Sequence, residues 1–586
     1  MKHLPKLSPQ NITDIFACGI GAWCLSALML TAITPISPTT IPYAAQAPIL
    51  PFIISLTLLW GITALLSLHL PVAPPFLLIS MLLYGGDVLY RKGDAYIYLI
   101  TAAVLALGVV YAVNRKYPEF SKISTMPRSV MLGLITAIGT VILAYLLTMT
   151  LCRLFSYSSP CFDFGIFAQM FHNMRESGLP LTTCERDKLL SHFAVHVSPI
   201  YYIYLPFYIL FPAPATLLVM QAVFLFSGVI PLVLLARKLS LSRPVTVLIS
   251  ALYFAYPPMI SGCFYDVHEN KLLLPLLLWL FYFLEAQRYP LVYLFSLLVL
   301  LVKEDAPIYI AFVAIYWLAA RPRKRHGIIL LVLSVVYFVG AVWYLETYGD
   351  GAMFGRFDNL TGPDGTPLDL IRTALLNPSL ILREMLHEEK LAFLFYMLLP
   401  LGTIPLITHR FSRMILLLPM VLINLMPDYF YQHNIGYQYT YGVAAMLFYL
   451  LLLNSTDLRG KLRQGLLLFA LCATVLLSAM RLPGQVFYLQ RTLNYAEDNA
   501  RITECLAMIP EDASVRASTM FVPHLSQREI LYEIDSLKDT EYAVLDLRPY
   551  VNAHVAGIDV EYFEVLGYQL IHYEEDIIAL FRRTEN

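Results

Sequence analysis

Charge is scarce in this sequence. Asp, Glu, Lys and Arg make up 14% of its 586 residues, where soluble globular chains carry about 25%. That scarcity, with 58% hydrophobic residues and a mean hydropathy of +0.65, excludes an ordinary soluble domain. The net charge of −1 leaves no basic excess for nucleic acid or for a polybasic surface anchor. Eight cysteines show neither CxxC nor metal-ligand spacing, and most read as small buried hydrophobes. Cys161 and Cys184 flank one hydrophilic loop and can pair if that loop faces an oxidising space. No dinucleotide-binding glycine loop, P-loop, HExxH or nucleophile-elbow serine occurs. Direct use of NTP, NAD or a serine nucleophile is therefore not expected.

What the chain has instead is long apolar runs. Ile15–Pro35, Ile49–Leu68, Tyr96–Val113, Met131–Leu151 and Gly465–Met480 are of membrane-spanning length. Sixteen apolar segments can be counted in all, several of them short. The 39 tyrosines and 33 phenylalanines suit aromatic belts at both interfaces. Met1-Lys2-His3 begins a segment without a convincing small-residue cleavage site, so it reads as a retained first helix. The expected fold is an all-α polytopic membrane protein with about 14–16 membrane helices. Three units are expected: an N-terminal four-helix extension (1–125), a membrane core (126–483) with loops 153–196 and 347–389, and a soluble tail (484–586). In the tail, Arg491–Met508 reads as an amphipathic helix. Ala513–Ser518 and Tyr542–Leu547 read as buried strands, and 569–573 with 577–582 as a hairpin about Glu574-Glu575-Asp576. That makes one small α/β domain.

Basic loops stay cytoplasmic. Placing 114–128, 237–243, 321–326, 409–413 and 459–463 inside puts loops 153–196 and 347–389 outside, together with 266–269, 303–305, 428–438 and the tail. This requires that 197–211 and 214–236 together cross only once. Arg91-Lys92 then falls outside, against the rule.

Four polar clusters interrupt the apolar runs, and ionisable groups at such depth are costly unless paired, hydrated or used. Asp163, in Phe162-Asp-Phe-Gly-Ile-Phe167, can serve as a general base or merely cap the helix that follows. That helix would lie in the outer interface through Phe164, Phe167, Met170, Phe171 and Met174. His192 and His196, spaced i, i+4, suit a metal pair, phosphate contacts or plain interfacial anchoring; no third ligand is obvious, so no metal ligands are assigned. Asp266-Val-His268-Glu269 can bind a cation, position a phosphate or form a solvated loop. Lys303-Glu304-Asp305, in a tight turn between apolar runs, can neutralise itself, but a lysine at a cavity is a point-charge ligand for phosphate, the preferred reading here. On the same face, the 428–439 stretch with His433 and Tyr437 suits sugar stacking. Pro523-His524-Leu-Ser-Gln-Arg528 forms a polar turn able to dock on the membrane part.

Phe162–Phe167, His192-Phe193, Ser198-Pro-Ile200, Asp266–Glu269, Lys303–Asp305 and Pro523–Arg528 occur in one order. In this the chain resembles, over about residues 130–582, the prokaryotic predicted membrane proteins called domain of unknown function 2079. That family is in turn thought to resemble the GT-C integral-membrane glycosyltransferases, which use polyprenyl-phosphate sugars. The resemblance implies a GT-C-like core in the cell membrane and a membrane-lipid partner carrying the sugar, with an acidic residue of the first extracytoplasmic loop as base. Asp163 matches by position, although GT-C enzymes often carry an acidic pair there and its neighbours are Phe162 and Phe164. The expected activity is sugar transfer from a polyprenyl-phosphate donor to an extracytoplasmic acceptor. Asp163 would be the catalytic residue. His192, His196, Asp266, His268, Glu269, Lys303, Glu304, Asp305, His433 and Tyr437 would bind substrate. The resemblance fixes no cofactor, and a divalent metal stays open. The alternative is an ion-coupled transporter or lipid-carrier flippase of the cell envelope.

Overall fold

The computed structural model describes residues 9–36, 43–69, 72–91, 126–363, 365–551 and 554–584, with a few more between 100 and 113. The expected Tyr96–Val113 segment, the loop from 114 and the basic pair's Lys92 lie largely outside the described residues. Among those residues seven helices are long and apolar enough to cross a membrane: Asn11–Ile33, Ile49–Ser67, Arg128–Phe155, Pro214–Lys238, Arg243–Phe264, Lys324–Tyr348 and Gly460–Asn494. Shorter apolar helices, Tyr289–Leu300, Pro307–Ala320 and Phe411–Leu425, complete the bundle. The architecture is thus an all-α polytopic bundle with a small sheet-containing tail.

Proline at the first turns of the helices starting at Pro214, Arg243, Pro257, Tyr289 and Pro307 explains their sharp starts, because its missing N–H costs nothing there. Two helices show the extremes of environment. Ile49–Ser67 has no buried residue and presents apolar side chains all round, as a lipid-facing helix does. Tyr441–Asp457 is buried almost throughout, forming the bundle's axis. Between 197 and 236 only Pro214–Lys238 has spanning length; Pro199–Ile203 is a 3₁₀ turn and Leu205–Leu210 a six-residue helix.

Four two-to-three-residue strands and three longer ones make two sheets. β1 (Leu181–Thr182) and β2 (Leu190–Ser191) form a small hairpin in loop 153–196. β3 (Val515–Ala517), β4 (Leu531–Glu533), β5 (Tyr542–Asp546), β6 (Tyr568–Glu574) and β7 (Ile578–Arg583) form the tail sheet in the order β4-β3-β5-β7-β6. β3 runs parallel to β4 and β5, while β5, β7 and β6 are antiparallel.

The tail is not a bead on a string. Tyr157, Cys161 and Ile166 of the membrane core share one hydrophobic cluster with Ile502, Phe521, Val522, Val544 and Leu580 of the tail. Arg548, wholly buried, grips Asp546 at 2.6 and 2.8 Å and donates to the carbonyls of Ser156 and Tyr157, tying β5 to the end of helix Arg128–Phe155. Cys161 and Cys184 are both free, and their thiols are hydrogen-bonded within this cluster.

Candidate functional site

Asp163 lies in a turn of distorted helix (Cys161–Gly165), reached through a cis Phe162–Asp163 peptide, just before helix Ile166–Ser177. It does not cap that helix: its Oδ2 accepts a 2.6 Å hydrogen bond from the Tyr265 hydroxyl. The helix itself departs from the interfacial placement expected of it. Phe164, Phe167, Met170, Phe171 and Met174 are all buried, with Phe171 packed on Tyr201, Tyr204 and Tyr208. The tail domain and the 197–210 stretch cover both sides of the helix, leaving no apolar face for lipid. Gly178, in the left-handed region at φ 76°, ends the helix and lets the chain turn back into β1.

Asp163 opens onto a cavity of about 450 Å³ that collects residues from six separate segments. Phe167 comes from the same helix, Glu185 and Arg186 from the β1–β2 hairpin, and His192 and His196 from the turn after β2. Tyr265 and His268 come from the next loop, Met353 and Arg356 from 353–357, and Tyr429, Tyr431, Tyr437, Gln438 and Tyr439 from 428–440. The walls are aromatic, with carboxylates and cationic groups set among them.

The three histidines are each held from behind by a carboxylate. His192 Nδ1 lies 2.9 Å from Glu185, leaving its Nε2 buried at the cavity without a partner. Burial disfavours the imidazolium of His192, but the Glu185 carboxylate outweighs it and raises the pKa above its ordinary value. His196 Nδ1 lies 2.9 Å from Glu304, whose other oxygen accepts the Val197 N–H at 3.1 Å. Burial would raise the Glu304 carboxyl, but His196 and Lys303 hold it down to about 2. His268 Nδ1 lies 2.9 Å from Glu269, and its Nε2 lies 3.2 Å from the Gln438 amide. Burial and the Lys303 charge push both His196 and His268 below the ordinary imidazole value.

Glu269 is the hub of this shell. It is wholly buried and receives Lys303 Nζ at 3.0 Å, His268 and the Tyr201 hydroxyl. Burial opposes its ionisation, yet His268 and Lys303 keep it well below the usual carboxylate range. Lys303, 1% exposed, does not line the cavity. Expected to contact phosphate, it faces instead the Glu269 carboxylate, 34 residues away in sequence. Asp266 likewise stands behind the wall, 2.8 Å from Arg153, which holds the loop after helix Arg243–Phe264 to the end of helix Arg128–Phe155. Asp305 is half-buried, and desolvation pushes its carboxyl up to about 6. His433 faces Glu389 at 3.4 Å away from the cavity, whereas Tyr437 lines it with its ring 4.8 Å from that of Tyr265.

Of the residues expected at the site, Asp163, His192, His196, His268 and Tyr437 line the cavity. Asp266, Glu269, Lys303, Glu304 and Asp305 stand around it, and His433 lies apart. Four lining residues carried no signal in the sequence reading: Tyr265, Glu185, Arg186 and Arg356. Glu185 and Arg186 look like a solvated charge run, Glu-Arg-Asp-Lys, until the hairpin turns them inward. Arg356 sits in the polar 347–389 loop and is held face-on against the rings of Tyr429 and Tyr439, 4.5 and 5.4 Å from their centroids. Arg186 is paired with Asp350 at 2.8 Å, which leaves Arg356 the cavity's guanidinium without a carboxylate partner among the described residues. Among those residues no group of three or more His, Cys, Asp or Glu side chains is arranged to hold a metal ion.

The family of predicted membrane proteins described as DUF2079 matches residues 153–547, and the chain belongs to it. No curated protein matches the chain. Among solved structures the chain is similar to ArnT from Cupriavidus metallidurans in the apo state. The two are 11% identical with a TM-score of 0.44 over 77% of this chain and 98% of that one. It is also similar to ArnT from the same organism bound to undecaprenyl phosphate, at 11% identity and a TM-score of 0.46, with the same coverage.

Proposed function

We propose that this member of the family is a membrane glycosyltransferase that moves a sugar from a polyprenyl-phosphate donor to an extracytoplasmic acceptor hydroxyl. The observation that carries the reading is the pairing, in one cavity, of a positioned carboxylate with an unpartnered imidazole nitrogen and a guanidinium. Asp163 is held by Tyr265, while among the described residues the Nε2 of His192 is buried without a partner and Arg356 has no carboxylate within ion-pair distance. A lipid phosphate is a good leaving group, so the reaction needs a base for the acceptor and charge for the departing anion, and no acid. Asp163 takes the acceptor's hydroxyl proton as its oxygen bonds to the anomeric carbon. The carbon–phosphate-oxygen bond breaks with its electron pair going to the phosphate, against His192 and Arg356. The tyrosines at 429, 431, 437 and 439 supply ring faces for the sugar. The resemblance of the family to GT-C enzymes agrees with the base assignment, and the distribution of basic loops supports a cavity and tail on the extracytoplasmic side.

The test is transfer from a panel of labelled polyprenyl-phosphate sugars in proteoliposomes. Asp163→Asn is expected to abolish product while leaving the melting midpoint unchanged. Retained transfer removes Asp163 from the mechanism. Gradient-dependent movement of the lipid with no covalent product favours the transporter reading instead.

A further inference from the structure

At the opposite ends of the helices that carry the site, a second cavity of about 360 Å³ opens between Arg128–Phe155, Pro214–Lys238 and Arg243–Phe264. Its wall is divided sharply. Met131, Val233 and Leu241 make an apolar floor, and Arg128, Arg237 and Arg243 stand at the rim with no carboxylate among the lining residues. Arg243 donates to the Met126 carbonyl at 2.7 Å. Among the described residues Arg128 and Arg237 have no hydrogen-bonding or ionic partner, and all three arginines are exposed. Helix Arg128–Phe155 has 28 residues, about 42 Å at roughly 1.5 Å per residue, against a hydrocarbon core of about 30 Å. Arg128 therefore sits at headgroup level on the face away from Asp163, and Arg153 marks the other end.

We infer that this cavity is a binding site for an anionic glycerophospholipid, its phosphodiester taken by Arg128, Arg237 and Arg243 and its acyl chains lying on the apolar floor. Lone arginines at a membrane edge usually just face water, as the positive-inside pattern requires. Here three of them converge, uncompensated, on a concave surface between spans. Basic pockets of that kind at the cytoplasmic side suit lipid headgroups. A simple anion would find the cations but gain nothing from the floor, and a zwitterionic lipid would bring its own cation into a site with no carboxylate to meet it. The chemistry selects a net-negative phospholipid.

The full chain in non-ionic detergent is titrated with phosphatidylglycerol, phosphatidylcholine, polyprenyl phosphate and inorganic phosphate, and the melting midpoint is followed. Native mass spectrometry counts the lipid retained. Phosphatidylglycerol is expected to raise the midpoint, while phosphatidylcholine and inorganic phosphate leave it in place. The Arg128→Gln/Arg237→Gln/Arg243→Gln variant should bind phosphatidylglycerol about 100-fold more weakly, at roughly fivefold per lost cation. Its side chains are exposed, so its lipid-free midpoint should match the parent's. Three outcomes overturn the inference: equal response to phosphatidylcholine, equal response to inorganic phosphate, or unchanged lipid retention in the variant. A preference for polyprenyl phosphate over phosphatidylglycerol also overturns it. None of these readouts depends on sugar transfer, so this inference and the proposed activity can fail separately.

Discussion

Replacing Glu269 by alanine tests whether Lys303 is a counter-ion or a substrate ligand. Glu269 is 0% and Lys303 1% exposed, and their atoms meet at 3.0 Å with His268 at 2.9 Å on the other carboxylate oxygen. Removing the carboxylate leaves a buried ammonium without the anion 3.0 Å from it, and breaking a buried pair in this way costs about 3–5 kcal/mol. Lys303→Met removes the opposite member. It should cost less, because His268 can take a proton and replace part of the lost positive charge. The double variant Glu269→Ala/Lys303→Met leaves no stranded charge, so it should be at least ~2 kcal/mol more stable than the sum of the singles predicts. Chemical unfolding in mixed micelles supplies the four free energies of the cycle. Single-variant costs that add within about 0.5 kcal/mol refute the pairing. A Lys303→Met variant with unchanged stability and a raised KM refutes it too, and restores Lys303 as a direct phosphate contact.

Three further outcomes follow from the same geometry. Tyr265→Phe deletes the 2.6 Å hydrogen bond to Asp163, about 1 kcal/mol. Turnover should fall roughly fivefold with the donor KM unchanged, as separate kcat and KM measurements would reveal; an equal rise in KM means that Tyr265 holds substrate instead. The His192–Glu185 pair raises the folded pKa of His192 above 6.5. Its stabilisation is therefore complete below that value and disappears as pH rises through the folded pKa. The parent's melting advantage over Glu185→Gln should shrink as the pH rises above about 6.5, and a constant advantage argues against the pair. Arg548→Lys keeps the charge but loses the two-pronged grip on Asp546 and the bonds to the Ser156 and Tyr157 carbonyls. The tail should loosen by about 2–4 kcal/mol, seen as faster protease cleavage in 496–584; unchanged cleavage would mean that the shared hydrophobic cluster alone docks it.

The polar clusters were legible as anomalies because a charge inside an apolar run needs no partner to be conspicuous. Their division of labour was not legible. Asp163 could be read as a base or a cap from its position alone, and the Tyr265 hydroxyl that distinguishes the two lies 102 residues away. Lys303 looked available for phosphate because its partner, Glu269, belongs to a different cluster. Arg356 and Glu185 carried no signal, since charges in polar loops are ordinary where loops are solvated. The tail strands and hairpin, by contrast, were readable from local alternation and the acidic turn, and β3, β5, β6 and β7 lie where that alternation placed them.

By itself the sequence determined the solvent of the chain and the local order within it. Runs of some twenty apolar residues have nowhere stable to go but lipid, and both helix starts and strand alternation are set by neighbours a few residues apart. The tertiary structure alone decided which charges meet. An ion pair depends on approach within about 4 Å, and Lys303–Glu269 and Arg153–Asp266 join residues 34 and 113 positions apart. The same packing decided that Asp163 shares a cavity with His192 and Arg356, and that three arginines converge at the far ends of the helices.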